Sequence, residues 1–296
     1  MKEVKPALSI NNQIEHLTSA HGLIIDDVEK AHVILSRINY YRLSGYGIGL
    51  KRQDDREQYR PGISIDTLFR LYQFDSLFKN NLVHLIEQIE IRLRAQISNF
   101  LALKYGPLGY LNADNFCDHA TKKMDSIHQA IIDSFNNEVD RQKNLPYVKH
   151  HVQEYGGQFP IWVAVELFSF GNLSSLLSIM KHEDQLAIAK LYNTVPSHLM
   201  SWLLALVEIR NICAHYNRLY NLPLKQKPYL YKENRQYIKG KQIKVFPAVI
   251  TLKRMLSGTD EWDVFYGRLV SDLAKYSDVV QLPFIGFPDD WKAVLA

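Results

Sequence analysis

The chain has 296 residues, of which 47% are hydrophobic, and this composition suits a globular protein with a sizeable core. Its formal net charge of +4 is mildly basic, which is compatible with a phosphate-bearing partner. Its two cysteines, Cys117 and Cys213, are far apart, which argues against a disulfide framework and a cysteine-rich zinc site. No apolar run approaches about eighteen residues and the N-terminus has no apolar signal-peptide core, so we expect a cytoplasmic protein with no membrane partner.

The first part of the chain predicts a small helical module. Residues 9–21 have helical apolar spacing, and Asp26 or Asp27 can cap a second helix. Aromatic and basic side chains follow in one cluster: Tyr40, Tyr41 and Arg42. Such a cluster can stack on bases and hold phosphate, but tyrosines in this setting more often pack at the edge of a core.

The longest helical pattern runs from Ser64 to about Leu103, after a charged, turn-like stretch at 51–61 that predicts a loop. Apolar residues repeat along it at spacings of three and four. Glu90 and Arg94 are four positions apart in the favourable order for a helical ion pair. An ordinary ion pair is one interpretation; the other is that Glu90 orients a catalytic side chain on a neighbouring helix.

The middle of the chain alternates helical patterns with breaks. A turn-like segment at 106–110 ends the long helix, and the apolar spacing between Met124 and Phe135 predicts another helix. Several histidines lie here, but their spacing matches no zinc template, so we expect no metal site. They are His119, His128, His150 and His151.

Pro160 predicts the start of a helix around Trp162, and Gly171 is expected to stop or kink it. Glu166 is the single acid of this otherwise apolar segment. Because burial of a lone carboxylate is costly, Glu166 should pair with an arginine or cap a neighbouring helix. Its functional role would be to aim Arg210.

A third long pattern ends in the most informative cluster of the chain. A short helix before Pro196 is followed by one that Ser197 is expected to cap, and an apolar run at 199–207 leads to Arg210, Asn211 and His215. Histidine moves protons near neutral pH, and arginine holds an anionic phosphorus centre. This pairing suits metal-independent RNA cleavage, in which a 2′-hydroxyl attacks its own phosphate.

The spacing of these residues has a geometric consequence. Arg210 and His215 are five positions apart, so on a straight helix they point about 140° away from each other, whereas Asn211 and His215 share a face. Arg210 continues the apolar stripe and should lie half under the surface. A complete site is easier to build if a second copy faces the first, so we hypothesise a homodimer with a shared cleft. The alternative is structural, because such residues near a helix end commonly cap carbonyls or pair with a carboxylate such as Glu208.

From residue 223 onward the chain becomes basic and aromatic. Lysines interleaved with tyrosines suit single-stranded RNA, although solvated loop charges explain them equally well. Residues 242–249 could form a short strand or begin a helix, residues 261–276 predict a final helix, and the tail reads as irregular. The expected RNA contacts in this region are Lys225, Lys227, Tyr229 and Tyr231.

Four segments resemble, in the same order, conserved motifs of the Abi family of bacterial abortive-infection proteins (the Abi_2, AbiD/AbiF-like group). They are YYRLSGY at 40–46, IEIRLR at 89–94, PIWVAVELFSFGNLS at 160–174 and VEIRNICAHYNRLYN at 207–221. The family belongs to the HEPN superfamily, so the resemblance implies an all-helical fold, dimerisation and RNA cleavage through an Arg-x4-His motif without metal. By position, Arg210 and His215 would be the catalytic pair, with Asn211 beside them. Supporting residues would be Glu90, Glu166 and Arg218.

These observations predict an all-α, HEPN-like helical bundle with additional N-terminal helices and a basic, partly irregular C-terminal region. We expect three units, an N-terminal module at 1–60, a core at 61–222 and an extension at 223–296. The predicted function is a metal-independent endoribonuclease of phage defence, or a toxin, with no cofactor. RNA would be its substrate, and a non-coding RNA or an antitoxin its regulatory partner. The alternatives are an RNA-binding protein without catalysis and a helical interaction module.

Overall fold

The computed structural model describes residues 6–117, 122–238, 240 and 242–296; His119, Lys239 and Lys241 lie outside them. The described residues form helices and contain no β-strand, only isolated bridges, so the predicted all-α class is confirmed. The helices are α1 (Ile10–Ser19), α2 (Val28–Arg37), α3 (Tyr40–Ser44), α4 (Ile65–Tyr105), α5 (Lys122–Arg141), α6 (Pro146–Glu154), α7 (Ile161–Ala164), α8 (Phe170–Ile179), α9 (His182–Lys190), α10 (Pro196–Ala214), α11 (Phe246–Leu256), α12 (Asp260–Lys275), α13 (Leu282–Ile285) and α14 (Trp291–Leu295).

Helix α4 is the axis of the molecule. Its 41 residues span about 60 Å at 1.5 Å per residue. The helix begins at Ile65, and Ser64 caps it, because its side chain accepts the Thr67 N–H while the Thr67 hydroxyl receives the Ser64 N–H. Helices α3, α7, α8, α10, α11 and α12 all pack against α4. Helices α3 and α10, which carry the predicted site residues Arg42 and Arg210, therefore both pack against this one helix.

Helix α10 begins two residues earlier than the sequence predicts. Pro196 occupies its first turn, and the preceding Val195 makes no side-chain cap, so the prediction that Ser197 caps this helix is wrong. A proline removes one of the N–H groups that a helix start leaves unpaired and has the helical φ built in, so it starts the helix without a capping side chain. Helix α10 packs against α4, α8, α9 and α11.

The helix break after Trp162 falls before Gly171, not at it. The chain leaves the helical conformation at Phe168, and Ser169 starts α8 by accepting the Asn172 N–H at 3.1 Å. Gly171 lies inside the first turn of α8. The hydroxyl of Ser169 can satisfy a free N–H and a glycine cannot, so the serine fixes the boundary.

The C-terminal part is more regular than its sequence indicates. Residues 242–249 begin a helix, α11, and the predicted final helix is present as α12. The tail, expected to be irregular, contains the short helices α13 and α14, with Trp291 buried. Burial of large apolar side chains orders these short helices, which are below the length at which isolated helices are stable. The division of the chain into three units stays a prediction.

Within the described residues, no helix combines the length and apolar character needed to cross a bilayer. The same ranges contain no group of three or more His, Cys, Asp or Glu side chains placed to hold a metal ion.

A buried carboxylate joins α4 to the chain that follows α10. Asp75 is 0% exposed and accepts the N–H groups of Leu219 at 3.2 Å and Tyr220 at 2.8 Å. The Tyr46 hydroxyl donates to it at 2.7 Å, and Lys79 Nζ lies 3.2 Å away. Burial, followed by the charge of Asp75, raises the pKa of Tyr46. A charge removed from water needs such a full set of donors.

We predict that Asp75→Asn lowers the free energy of unfolding by about 3 kcal/mol, since it leaves the Lys79 ammonium without its buried counter-charge. Urea denaturation measures this change. The matched control is Asp278→Asn, which breaks an exposed pair with Arg70 and should cost less than about 1 kcal/mol. Equal losses in the two variants would contradict a special role for Asp75.

Candidate functional site

Helix α10 ends at the predicted catalytic motif in a well-defined turn. His215 is the C-cap residue, the Tyr216 N–H donates to the Cys213 carbonyl at 2.9 Å, and the Asn217 N–H donates to the Ile212 carbonyl at 2.9 Å. These two bonds form a Schellman motif. Its left-handed position, usually a glycine, is occupied by Tyr216 with φ of 55°. The backbone on both sides of His215 is thus held by the helix itself.

Two cations from distant segments hold the carbonyls of this turn. The Arg42 guanidinium donates to the Tyr216 carbonyl, and Lys79 Nζ donates to the Asn217 carbonyl at 2.8 Å. Through Arg42, the N-terminal aromatic segment lies beside the end of α10. Tyr41 and Tyr216 are 85% and 75% exposed, so two aromatic rings extend into solvent near His215.

The predicted residue Tyr40 differs from its neighbours. It is half-buried and packs against the core, and burial raises its pKa, with a smaller contribution from Glu57. Its position is that of a residue at the edge of the core, whereas Tyr41 and Arg42 face solvent.

Asn211 and His215 are exposed and line one surface depression of about 430 Å³. Glu208 and Lys225 also line it. The Glu208 carboxylate accepts the N–H groups of Lys225 at 2.9 Å and Gln226 at 2.7 Å. It therefore anchors the backbone of the following loop, and no hydrogen bond or ion pair joins it to His215 among the described residues.

Arg210 faces a different depression, of about 400 Å³, between α4 and α10. Its side chain is 37% exposed, and its Nε lies 3.8 Å from Glu90 Oε2. Glu90 also pairs with Arg94, which donates to the Val165 carbonyl. Glu90 is thus fixed by one arginine and faces another, in keeping with the interpretation that it orients a residue of a neighbouring helix.

Glu166 lines the same depression but is exposed, so the expectation of a buried carboxylate in need of a donor was wrong. The short turn of 3-10 helix at Val165–Leu167 turns this side chain outward. Its place at the rim keeps it near Arg210 and Arg94 without an ion pair among the described residues.

Arg218 lies in the segment that follows α10. It is half-buried, its guanidinium donates to the Tyr220 carbonyl, and burial lowers its pKa while Asp75 opposes that shift. A Cβ on Gly45 would lie 3.6 Å from Arg218 Nε, which is an ordinary van der Waals contact.

The predicted RNA contacts of the C-terminal region divide into two groups. Lys225 and Lys227 are exposed on the loop beside α10. Tyr229 lies near the start of α10, where its ring stacks on His198 at 3.5 Å and its N–H donates to Ser201. Because Ser201 and His215 are fourteen residues apart, about 21 Å of helix separates Tyr229 and Tyr231 from the histidine.

The arrangement offers a proton-transfer group and an anion-binding group, but in separate depressions of one protomer. His215 and Asn211 occupy one, and Arg210 with Glu90 occupies the other. The helical spacing of the motif causes this separation, as expected from 100° per residue.

Two residues of the site were not identified from sequence. Asp75 sits at a regular position of the apolar repeat of α4, and an acid at a core position is a recognisable sign of a buried polar network. Tyr216 carries no comparable sign, because nothing in the sequence shows that an aromatic residue occupies the left-handed position.

The family model for Abi-like proteins matches residues 33–221. This range includes α3, the whole of α4 and α10, and all the residues of both depressions up to Asn221. Comparisons with curated proteins and with solved structures find no match.

We predict that Tyr216→Gly raises the free energy of unfolding by about 0.5 kcal/mol, because relief of the left-handed strain exceeds the added freedom of the unfolded chain. Thermal denaturation measures the change. The control is Tyr41→Gly, an equally exposed tyrosine inside α3, which should lower stability by a similar amount because glycine disfavours helix. A loss of stability in both variants would contradict the strain argument.

Proposed function

This chain belongs to the Abi-like protein family, and on that premise we propose that it acts in abortive infection, in defence against phage, as a metal-independent endoribonuclease. The proposal follows the resemblance of the motif to the Arg-x4-His centre of HEPN nucleases. Its main structural support is the position of His215, exposed at the end of α10 next to the exposed Tyr216, whose carbonyl accepts from Arg42.

In the proposed reaction, His215 accepts the proton of an RNA 2′-hydroxyl, and the 2′-oxygen attacks the adjacent phosphorus. The bond from phosphorus to the 5′-oxygen breaks, and that oxygen takes up a proton. The products are a 2′,3′-cyclic phosphate and a 5′-hydroxyl. A histidine can act as the base or, in its protonated form, as the acid of this reaction.

Arg210 stabilises the negative charge that develops on the phosphoryl oxygens. It lines the depression beside Glu90, whereas His215 of the same chain lines the other one, and Arg210 Nη1 donates to Asn211 Oδ1 at 3.4 Å. We therefore propose that each complete site combines His215 and Asn211 of one protomer with Arg210 of a second copy. Exposed apolar side chains in the two depressions, Leu204 and Ile91, would be covered by such a homodimer.

RNA binding in this proposal uses the surface around His215. Tyr41 and Tyr216 offer rings for base stacking, and Lys225 and Lys227 offer charge for the phosphates. The same surface would serve a protein that binds RNA without cleaving it, so the experiment must separate binding from cleavage.

We predict that expression of the wild-type chain produces new 5′-hydroxyl RNA ends and that His215→Ala does not, because the proton-transfer group is lost. Sequencing of cellular RNA ends checks this. His32→Ala, an exposed histidine on α2, is the control and should behave as wild type. Cleavage by the purified protein should persist in EDTA. Co-purified RNA without new ends in any variant would favour the RNA-binding function instead.

We predict that His215→Ala and Arg210→Ala, each inactive alone, regain partial activity when mixed under conditions that exchange subunits. A heterodimer contains one site with an intact arginine and an intact histidine from different chains. A cleavage assay on the mixture measures the effect, with each variant mixed with itself as the control. If the mixture stays inactive although mass measurements show heterodimers, the shared site is disproved.

A further inference from the structure

A second cavity lies about 21 Å from the end of α10, at the start of the same helix. It has a volume of about 370 Å³ and is lined by α10, α11 and the segment 229–234. This volume is within the usual range for small-molecule sites. The lining residues that matter here are Tyr192, Trp202, Tyr231, Glu233, Asn234 and Arg254.

Arg254 is the most distinctive group of this cavity. Its guanidinium lies over the Tyr231 ring, 3.9 Å from the ring centre, and no hydrogen bond or ion pair of the described residues uses its N–H groups. The residue is exposed, so the outer guanidinium face and the N–H edge are open. A planar cation held in this way can stack on a nucleobase and donate to a phosphate.

A second arginine strengthens the positive character of the region. Arg235 lies over the Tyr229 ring at 5.5 Å and donates to the Tyr229 hydroxyl at 2.6 Å. The pKa of His198, which stacks on Tyr229, is lowered by its burial and then by Arg254 and Arg235. Both cations lie against tyrosines that line the cavity, Arg254 on Tyr231 and Arg235 on Tyr229.

The remaining lining groups suit a base and not phosphate alone. Glu233 would repel a bare phosphate, but its carboxylate can accept N–H groups from the edge of a base. Asn234 can donate and accept at the same edge. Tyr192 is 4% exposed, and its hydroxyl has no hydrogen-bond partner among the described residues, so the site retains an unused polar group.

We propose that this cavity binds a nucleotide, with the base stacked on the outer face of Arg254 and the phosphate held by the Arg254 and Arg235 guanidinium groups. The nucleotide is either a free mononucleotide or one unit of an RNA strand. The RNA alternative rests on the proposed function: exposed Lys225 and Lys227 lie along α10 between this cavity and His215, so a bound strand would reach from one to the other.

The test uses the full-length His215→Ala protein, so that cleavage does not interfere with binding. Adenosine monophosphate, uridine monophosphate, inorganic phosphate and a single-stranded oligoribonucleotide are titrated by calorimetry. Intrinsic tryptophan fluorescence, to which Trp202 of the cavity wall contributes, gives a second signal. We expect saturable nucleotide or oligonucleotide binding that Arg254→Gln weakens about tenfold or more. Arg56→Gln, an exposed loop arginine, is the matched control and should bind as the parent does.

The outcomes separate the two sources. Arg254-dependent binding of mononucleotides indicates a free nucleotide ligand, and Arg254-dependent binding of the oligonucleotide alone indicates a unit of RNA. Phosphate bound as tightly as the nucleotides, or binding unchanged by Arg254→Gln in a folded protein, overturns the proposal. Cleavage by wild-type protein is assayed separately, so a loss of the nucleotide site and a failure of the nuclease function are distinguishable.

Discussion

The rest of the site depends on the hydrogen bonds and the ion pair of the Asp75 carboxylate. This carboxylate is a charge fully removed from water, and its donors come from three parts of the chain: Tyr46 near α3, Lys79 on α4, and the backbone of Leu219 and Tyr220 after α10. A buried carboxylate binds only where all its donors are in position, so it selects one arrangement of these segments. Lys79 extends the network to the Asn217 carbonyl, which lies in the turn that ends α10. The turn that follows the exposed His215 is thus held by a buried network.

The separation of Arg210 from His215 follows from helical geometry and not from a peculiarity of packing. Five positions on a helix place two side chains on different sides, and both side chains are supported where they lie. Glu90 and Arg94 fix the surroundings of Arg210, and the Schellman turn fixes the backbone of His215. Arg210 Nη1 donates to Asn211 Oδ1 at 3.4 Å, so the guanidinium reaches a residue that lines the depression of His215. In the homodimer that we propose, an arginine of the second chain would complete the site.

The sequence predicted well what depends on local periodicity. The apolar spacing of α4 and α10 and the shared face of Asn211 and His215 follow from the repeat of 3.6 residues. It predicted poorly where two local rules compete, as when Pro196 rather than Ser197 starts α10 and Ser169 rather than Gly171 sets the break before α8. Contacts between distant segments could not be predicted from the sequence. The bond from Arg42 to Tyr216 spans 174 positions, and no local pattern encodes it. The regular helices of the tail were missed for the same reason, since their order comes from burial of residues such as Trp291.

The rigidity of α4 has a consequence for how this protein can vary. Asp75 and Glu90 lie on the same unbroken helix, fifteen residues apart, which is about 22 Å along the axis and about 60° around it. Asp75 holds the chain that follows α10, and Glu90 faces Arg210 near the C-terminal end of α10. Insertion or deletion of a single residue between them would rotate one by about 100° relative to the other, so both could not keep their partners. This stretch of helix therefore tolerates a change in the identity of its residues but not in their number. The helix repeat thus fixes the distance between Asp75 and Glu90, and the partners of both acids at the end of α10 must match that distance.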